Sequence, residues 1–522
     1  MGKEKITSSG CFRYFCANIP ALSSIKKLAG QTLWYGVSSI AARFINYILT
    51  PIITYSSIIK TSDYGIMSSA YAAIPILNVI FTYGMETTYF RFIQKKEREQ
   101  SVNNVATISL LFSTVFFSAL LWLNQSSLAR LASLQNFPLL VQLCIVIIGM
   151  EALTAIPFAR LRNEGRPHLF AFIKVAGIFI NILVTVFFIS YCPHQLKEDP
   201  NSWIILFYKT DINPITYILV ANVIQSTFTL ALLGKWLVPK KWHFDIALWK
   251  EMMVYALPML VAGMGGMINE TFDRLMLGWW LPGSSEYVHS QVGIYSACYK
   301  LSILISLFIQ AFRMGAEPFF FKQAEGQNPQ AVYARVMKFF VITITLMFLV
   351  VSLFLPIWRG FIKSTYWEGL GVVPILLLAN MSLGIYYNLS VWYKVSNNTM
   401  AGAYITLIGT AITCIINWAF IPHFSYMACA WATFLCYFSM MVISFSWGQK
   451  KYYVPYAWKK LLAYLVIVVL LFFLHKGITA LYNHTIFSLA VAMVLTFAYL
   501  LFVVRVEKKE FQQLPFVGKF IR

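Results

Sequence analysis

The segment YALPMLVAGMGGMINETFDRLML, which covers Tyr255–Leu277, is apolar over most of a length that can cross a lipid bilayer. A helix needs about 20 residues to cross a hydrocarbon core of ~30 Å, so the segment predicts a membrane-spanning helix at 251–280. The same span carries residues that let a helix bend or unwind locally. These candidate helix-bending residues are Pro258, Gly263, Gly265 and Gly266.

Apolar stretches of similar length recur along almost the whole chain. The sequence predicts fourteen spans, at about 31–56, 65–90, 102–124, 137–159, 168–192, 213–237, 251–280, 290–314, 333–357, 370–394, 400–422, 427–448, 460–477 and 485–505. We therefore expect an all-α integral membrane protein. In it, two six-helix lobes in a pseudo-twofold arrangement are followed by two further helices.

The composition excludes the other broad classes of protein. Hydrophobic residues make up 59% of the 522 residues and charged residues only 12%, whereas soluble domains are about 45–50% apolar and about 25% charged. A soluble globular protein of this composition would have too few polar residues to cover its surface. A disordered chain is also excluded, because 17% of the residues are aromatic and such a chain has apolar surface to bury.

Motifs for catalysis and metal binding are missing from the sequence. It contains no phosphate-binding P-loop, no HExxH and no GxSxG pattern, so the usual sites for ATP hydrolysis, zinc peptidase and serine hydrolase chemistry are absent. The eight cysteines are scattered without a CxxC pair, which argues against a metal site or a disulfide framework. The sequence predicts that the protein is not an enzyme.

The formal net charge of +21 first suggests a nucleic-acid partner. The basic residues, however, concentrate in alternate loops between the predicted spans. Because lysine and arginine are retained on the cytoplasmic side of a membrane, this alternation predicts that both termini are cytoplasmic. The positive excess therefore reflects topology, and we expect no nucleic-acid partner.

Two pairs of segments indicate an internal duplication. YGIMSSAY (Tyr64–Tyr71) matches VGIYSACY (Val292–Tyr299), and GMETTYFRF (Gly84–Phe92) matches GAEPFFFKQ (Gly315–Gln323). Six predicted spans separate the two copies, so both halves have the same orientation and form parallel repeats around an axis along the membrane normal. A substrate path between the two lobes follows from this arrangement.

The duplication sets the expected domain boundaries. The predicted units are a cytoplasmic N-terminal segment at 1–30, a first lobe at 31–238, a second lobe at 239–448, two additional transmembrane helices at 449–505 and a cytoplasmic tail at 506–522. A helix on the membrane surface is one candidate structure for the N-terminal segment.

Charged residues inside the spans are the candidate functional residues. A charge facing lipid at mid-depth costs at least ~2.5–3.5 kcal/mol, so such residues usually face a cavity or a partner. Arg43 lies near the middle of the first span, on a polar face shared with Asn46. Polar contacts between helices explain the asparagine equally well, whereas the arginine favours a cavity. With Arg274 and Lys300, Arg43 would bring positive charge into a central cleft from both lobes.

The seventh span holds the densest polar run. Glu270 and Arg274 are four residues apart, a spacing suited to an ion pair, and Asn269 and Asp273 share a neighbouring face. A stabilising ion pair and a direct binding role are both consistent with this pattern. Glu151, in the middle of the fourth span, is a lone carboxylate suited to reversible protonation or cation binding, with a neutral hydrogen-bonded glutamic acid as the alternative.

Four other charged residues lie near predicted helix ends. Snorkelling to the membrane surface explains them sufficiently: Glu86, Lys174, Arg313 and Glu317.

Several stretches of the chain resemble one family. The sequence is similar to the polysaccharide biosynthesis proteins that flip lipid-linked oligosaccharides, within the exporter superfamily that also holds multidrug/cation antiporters and the lipid II flippase. The stretches that carry the resemblance are Leu33–Thr54, Ser62–Ser69, Gly84–Phe92, Phe158–Pro167, Tyr255–Leu277, Val292–Lys322 and Tyr386–Thr399.

The resemblance implies a V-shaped, two-lobed transporter whose first and seventh helices bend during alternating access. Its implied substrate is an undecaprenyl-pyrophosphate-linked oligosaccharide, moved across the bacterial cytoplasmic (inner) membrane for O-antigen, capsule or exopolysaccharide assembly. In the lipid II flippase, cavity arginines bind the pyrophosphate, and Arg43 and Arg274 lie in the corresponding helices here. We therefore expect Arg43, Arg274 and Lys300 to bind pyrophosphate. No cofactor is expected beyond a coupling H⁺ or Na⁺ gradient, and a polysaccharide polymerase and a chain-length regulator are candidate partners.

Two rival functions remain open on the sequence. A cation-coupled multidrug exporter on the same scaffold would need an apolar cavity centred on a carboxylate, which the basic residues of the spans disfavour. A membrane glycan polymerase or ligase usually carries a large external loop with catalytic residues. The longest external loop here, near 193–213, is short.

Overall fold

The computed structural model describes residues 41, 44–45, 47–94, 96–239, 242–324, 328–396, 398–482 and 484–512. Within these ranges the backbone is helical or turn-like and contains no β-strand. Thirteen of the described helices are long and apolar enough to cross a membrane. They coincide with thirteen of the predicted spans and confirm an all-α membrane protein. The remaining span, at 31–56, lies largely outside the described residues.

The described α-helices of the first half range from short ones to membrane-spanning ones. They are α1 (Leu49–Tyr55), α2 (Thr61–Thr82), α3 (Met85–Phe92), α4 (Glu99–Leu123), α5 (Gln125–Leu131), α6 (Pro138–Asn163), α7 (Pro167–Val186), α8 (Cys192–Glu198) and α9 (Pro214–Leu237). A π-helical turn at Phe187–Tyr191 joins α7 to α8, and a short 3₁₀ helix follows at Trp203–Leu206.

The described α-helices of the second half include the two longest, Ile246–Trp280 and Ser285–Ala324, together with shorter ones. They are α10 (Ile246–Trp280), α11 (Ser285–Ala324), α12 (Pro329–Ser352), α13 (Leu355–Trp358), α14 (Val372–Leu389), α15 (Val391–Val395), α16 (Thr399–Phe424) and α17 (Tyr426–Lys451). The last described helices are α18 (Trp458–Leu481), α19 (Thr485–Val506) and α20 (Lys508–Gln512).

Local sequence explains where many of these helices begin and end. Proline occupies the first position of α6, α7, α9 and α12, where its missing N–H costs nothing. The side chain of Asn213 caps α9 and that of Asp245 caps α10. Gly84, with φ of 74°, separates α2 from α3, and its backbone conformation is one that side chains with a Cβ rarely adopt.

Helices of each half pack mainly on one another. In the first half α6 contacts α2, α4 and α9, and α9 also contacts α7. In the second half α17 contacts α14 and α16, and α14 contacts α11 and α12. Helices α18 and α19 pack on α12. Large apolar side chains such as Phe112, Trp418 and Phe497 remain exposed, as expected where a helix faces lipid tails.

The two halves meet where the duplicated segments cross. Helix α2 carries the first copy and α11 the second, and these helices are in extensive contact. A Cβ at Gly65 would lie 1.7 Å from the carbonyl oxygen of His289, and a Cβ at Gly293 would lie 2.1 Å from that of Thr61. The contact is reciprocal, as a twofold relation between the copies requires. Only glycine allows the two backbones to approach so closely.

We distinguish two faces of the molecule. The basic face holds the connections that carry most lysines and arginines, including the segments around Arg98, Arg162 and Lys460. The opposite face holds the connections around Lys60, Lys197 and Glu286.

Candidate functional site

A cleft of about 330 Å³ lies between the two halves of the chain. We call it the central cleft. Helices α1, α2, α7 and α9 form one wall, and α10 and α11 form the other. Its polar lining consists of Thr50, Tyr64, Ser68, Tyr71, Asn181, Asn222, Glu270, Thr271, Arg274, Ser296, Tyr299 and Lys300. The duplicated segments of α2 and α11 therefore face each other across the cleft.

Arg274 is held firmly at the edge of the cleft. Its guanidinium lies 4.4 Å from the centre of the Tyr299 ring, within the range of a cation–π contact. It donates a hydrogen bond to the backbone oxygen of Glu270 at 3.2 Å and lies 3.5 Å from a carboxylate oxygen of Asp273. The side chain of Arg274 is only 12% exposed, so an anion in the cleft would reach a largely desolvated cation.

No salt bridge within 4 Å joins Glu270 to Arg274, two described residues whose spacing in the sequence suits an ion pair. Arg274 pairs with Asp273 instead, and the carboxylate of Glu270 is exposed toward the cleft. Asp273 is the better partner because its carboxylate is already fixed. One oxygen accepts the backbone N–H of Arg274 at 2.8 Å, and the other accepts the hydroxyl of Tyr295.

Asn269 and Asp273 were predicted as cavity residues, but the structure buries both away from the cleft. Asn269 is 5% exposed and Asp273 is 3% exposed. The amide of Asn269 donates to the backbone oxygen of Thr406 in α16 at 3.3 Å. At about 100° per residue, positions four apart share a side of the helix, so this pair faces the second half while Glu270 and Arg274 face the cleft.

Lys300 lies on the same cleft as Arg274, as the sequence predicted. Among the described residues, no carboxylate oxygen lies within 4 Å of its ammonium nitrogen. The cleft thus presents two cations, from α10 and α11, with the carboxylate of Glu270 beside them. Arg43 and Asn46, the other predicted cleft residues, lie outside the described residues.

The candidate bending residues lie within a continuous helix in this structure. Helix α10 runs through Pro258 without a break. A Cβ at Gly263 would meet the side chain of Val79 at 3.2 Å, and one at Gly265 would meet Thr406 at 3.1 Å. Gly266 has nothing within 4 Å of that position. Gly263 and Gly265 therefore allow α10 to lie close to α2 and α16. The bending role of the four residues stays a prediction.

Glu151 lines a second cavity of about 450 Å³, which we call the side cavity. Glu151 is not the lone carboxylate that the sequence suggested, because Glu86, Arg162 and Lys174 line the same cavity. Arg162 forms a salt bridge with Glu86, and the ammonium group of Lys174 lies 4.2 Å from the centre of the Phe158 ring. The turn from α6 to α7 brings Lys174 back to the cavity that Glu151 lines, a proximity that the linear pattern does not reveal.

Contacts between the two halves lie on both sides of the central cleft. On the opposite face, Thr61 and Ser290 are 3.2 Å apart through their hydroxyls, next to the crossing of Gly65 and Gly293. On the basic face, the indole of Trp249 donates to Ser109 at 2.8 Å. An exposed salt bridge at 3.1 Å there joins Arg98 to Glu251. The cleft therefore lies between two sets of closing contacts.

Sequence reasoning missed the aromatic and amide residues of the cleft. Tyr64, Tyr71 and Tyr299 belong to the duplicated segments, so the repeat itself was the signal that could have identified them. Asn222, which donates a hydrogen bond to Tyr71, and Asn181, which donates to Gln225 at 2.8 Å, are polar residues within apolar spans. Such residues are expensive in a membrane and mark interior faces.

Comparison with known proteins places the chain in a family. Residues 28–323 match the sequence model of the family described as polysaccharide biosynthesis protein. The chain belongs to this family. The chain is similar in sequence to the Lsg locus putative protein 1 of Haemophilus influenzae, with 21% identity over 305 residues. That alignment covers 57% of this chain and 66% of the relative, just under two thirds of its length.

Solved structures show the same fold as this polysaccharide biosynthesis protein. The lipid II flippase MurJ in an inward closed conformation superposes with a TM-score of 0.69 at 12% identity, over 91% of this chain and 99% of that one. An inward-facing multidrug resistance MATE family transporter superposes with a TM-score of 0.58 at 14% identity, over 80% and 94%. The fold is therefore that of flippases and transporters, in a multi-pass membrane protein.

Proposed function

We propose that this protein is a flippase that moves an undecaprenyl-pyrophosphate-linked oligosaccharide across the bacterial cytoplasmic membrane by alternating access. The observation that carries the proposal is the cationic central cleft, with Arg274 and Lys300 on the wall opposite the duplicated segment of α2. Family membership supports a role in polysaccharide biosynthesis. The basic face is the cytoplasmic face in this proposal, because lysine and arginine are retained there.

The chemistry of the cleft suits this substrate. A pyrophosphate with several sugars cannot cross hydrocarbon unaided, because each hydroxyl loses hydrogen bonds to water and each charge loses its solvation. Arg274 and Lys300 would bind the pyrophosphate, with Arg43 as a further ligand. The polyprenyl tail would stay in the bilayer beside the protein, so only the polar head has to pass between the lobes.

The remaining parts of the proposal concern energy and partners. A proton or sodium gradient would drive the cycle, with Glu151 in the side cavity as the candidate coupling carboxylate. Bending of α10 near Pro258 and the glycine cluster would open the cleft to either face. A polysaccharide polymerase and a chain-length regulator would receive the product for O-antigen or capsule assembly.

The test is transport of purified lipid-linked oligosaccharide in proteoliposomes that contain the full-length protein. Lys300→Gln removes one cleft cation and keeps a polar side chain that is one atom shorter, and we expect it to slow translocation at least tenfold. Lys476→Gln, an exposed lysine of α18, is the matched control and should leave the rate unchanged. Proton and sodium gradients, imposed separately, identify the coupling ion.

Normal translocation by Lys300→Gln would contradict the assignment of the cleft.

The multidrug exporter is the rival function, and the fold shared with a MATE family transporter keeps it open. Resistance profiling of a strain that expresses the protein separates the two. Increased drug resistance without any translocation of lipid-linked oligosaccharide would favour the exporter.

A further inference from the structure

A further cavity lies on the opposite face, outside the central cleft. It has a volume of about 770 Å³, and we call it the vestibule. The first half contributes the start of α2, the turn before α6, helix α8 and the segment before α9, and the second half contributes the start of α11. The residues used below are Lys60, Asp63, Asn136, Lys197, Asp211, Asn213 and Glu286.

We propose that the vestibule is a binding subsite for the phosphate-free, hydroxyl-rich sugar part of the substrate. This inference rests on the proposed function and extends it to a second site. The volumes motivate it, because pockets for small ligands occupy about 300–1,000 Å³. The central cleft, at about 330 Å³, is at the lower end of that range. A pyrophosphate together with several sugars needs more space, and the vestibule has more than twice the volume of the cleft.

The position of the vestibule fits an extended head group. Helix α2 lines both spaces, with Ser62, Asp63 and Ile66 at the vestibule and Tyr64 and Met67 at the cleft. The rise of an α-helix is 1.5 Å per residue, so all of these positions lie within about 8 Å along the axis of α2 and the two spaces are neighbours. The crossing of α2 and α11 lies between them. Once these helices part there, sugars attached to a pyrophosphate in the cleft would extend into the vestibule.

The charge of the vestibule differs from that of the cleft. Two lysines, Lys60 and Lys197, are accompanied by the three carboxylates of Asp63, Asp211 and Glu286. Such a lining does not attract a phosphate, because like charges repel and specificity follows complementary charge. It does suit hydroxyl groups, which both donate and accept hydrogen bonds.

Two polar side chains in the vestibule are pre-positioned and still have hydrogen-bonding capacity. Asp63 accepts the backbone N–H of Lys60 at 3.0 Å and the amide of Asn213 at 2.8 Å. A carboxylate has about four acceptor positions, so it can accept further hydrogen bonds from sugar hydroxyls. The oxygen of Asn213 accepts the N–H of Ile215 at 2.9 Å, which fixes the orientation of its amide.

The segment that closes one side of the vestibule is anchored. The hydroxyl of Tyr217 accepts the N–H of Lys209 at 2.7 Å and donates to its backbone oxygen at 3.0 Å. The ring of Tyr208 stacks on that of Tyr217, with 4.6 Å between centres. Asp211 follows directly and is exposed to the cavity. A rigid wall with an accessible carboxylate lowers the entropy cost of binding.

The test uses the full-length protein in nanodiscs and two probes. One is the repeat oligosaccharide released by mild acid from the lipid-linked form, without phosphate or lipid, and the other is inorganic pyrophosphate. The variant Asn136→Ala/Asp211→Ala removes two exposed vestibule groups. The control Glu198→Ala removes an exposed carboxylate at the end of the neighbouring helix α8 that does not line the cavity.

Isothermal titration should show at least tenfold weaker oligosaccharide binding by the double variant, unchanged oligosaccharide binding by the control, and equal pyrophosphate binding by all three proteins. Equal oligosaccharide affinity of the double variant and the unmodified protein, or the absence of oligosaccharide binding by the unmodified protein, would overturn the vestibule assignment. Oligosaccharide binding without pyrophosphate binding would instead count against the proposed function and leave the vestibule in place.

Discussion

The crossing of Gly65 and Gly293 gives the sharpest prediction about alternating access. At this point two backbones of opposite halves touch, and the contact lies between the central cleft and the vestibule. Gly65→Ala adds one methyl group there. Because α2 and α11 have no space for it, we expect the variant to favour separation of the two helices on the opposite face.

The size of the effect follows from the geometry. A Cβ at Gly65 would lie 1.7 Å from the backbone oxygen of His289, while real Cβ atoms stay at least 3.0 Å from such atoms. The neighbouring atom is backbone, so no side chain can rotate away to relieve the clash. Overpacking of this kind costs typically about 1–3 kcal/mol. That free energy shifts an equilibrium between closed and open forms by about 5- to 150-fold.

Disulfide formation between Thr61→Cys and Ser290→Cys measures the closed form, since the two hydroxyls are 3.2 Å apart in the structure. Disulfide formation under oxidation is followed by the loss of maleimide labelling of the two introduced cysteines. We expect its rate to be at least fivefold lower when Gly65→Ala is also present. Gly234→Ala is the matched control, because a Cβ at Gly234 meets nothing within 4 Å. An unchanged cross-linking rate in Gly65→Ala would refute the argument that this crossing closes the opposite face.

Two further predictions concern stability. Asp273→Ala leaves the largely buried guanidinium of Arg274 without its carboxylate, so the free energy of unfolding should fall by about 3–5 kcal/mol. Glu270→Ala should change the free energy of unfolding by no more than about 0.5 kcal/mol. Thermal unfolding of the two variants measures the difference, and equal destabilisation by Asp273→Ala and Glu270→Ala would contradict the assigned role of Asp273. Burial raises the pKa of Glu507, but hydrogen bonds from Lys460, Tyr464 and Lys338 outweigh it and hold that pKa below its ordinary value of 4.5. Glu507 therefore stabilises the fold above about pH 4.5, and this contribution is lost as the pH falls through its lowered pKa. Glu507→Gln should therefore reduce the dependence of the free energy of unfolding on pH between pH 3 and 7. The same pH dependence in the variant and the unmodified protein would show that the hydrogen bonds of Glu507 do not stabilise the fold.

Much of the site could be predicted because the membrane imposes strict limits on sequence. Lys300 and Arg274 were found as charges inside apolar spans, and the structure places both on one cleft. The faces of α10 were assigned less well. Spacing shows that Asn269 and Asp273 share a side of the helix, but it does not show which neighbour that side contacts.

Residues on different helices were the hardest to connect. Glu507 is 2% exposed and accepts from Lys460 at 2.7 Å and from Lys338 at 3.2 Å. This cluster ties the last helices to α12, yet its members are distant in sequence and each resembles an ordinary loop charge. The side cavity shows the same effect, because the packing of α6 and α7 brings Glu151 and Lys174 into the lining of one cavity.

The sequence by itself determined the helical membrane fold and thirteen of its predicted spans. Backbone groups in lipid must bond within their own segment, and the bilayer fixes the length of each segment, so local composition is sufficient. Only the tertiary structure decided which side chains share a cavity. The glycine crossing of α2 and α11, the pairing of Arg274 with Asp273 and the vestibule all depend on how helices rotate and pack against one another. That choice depends on the fit of side chains from distant parts of the chain, which no single segment records.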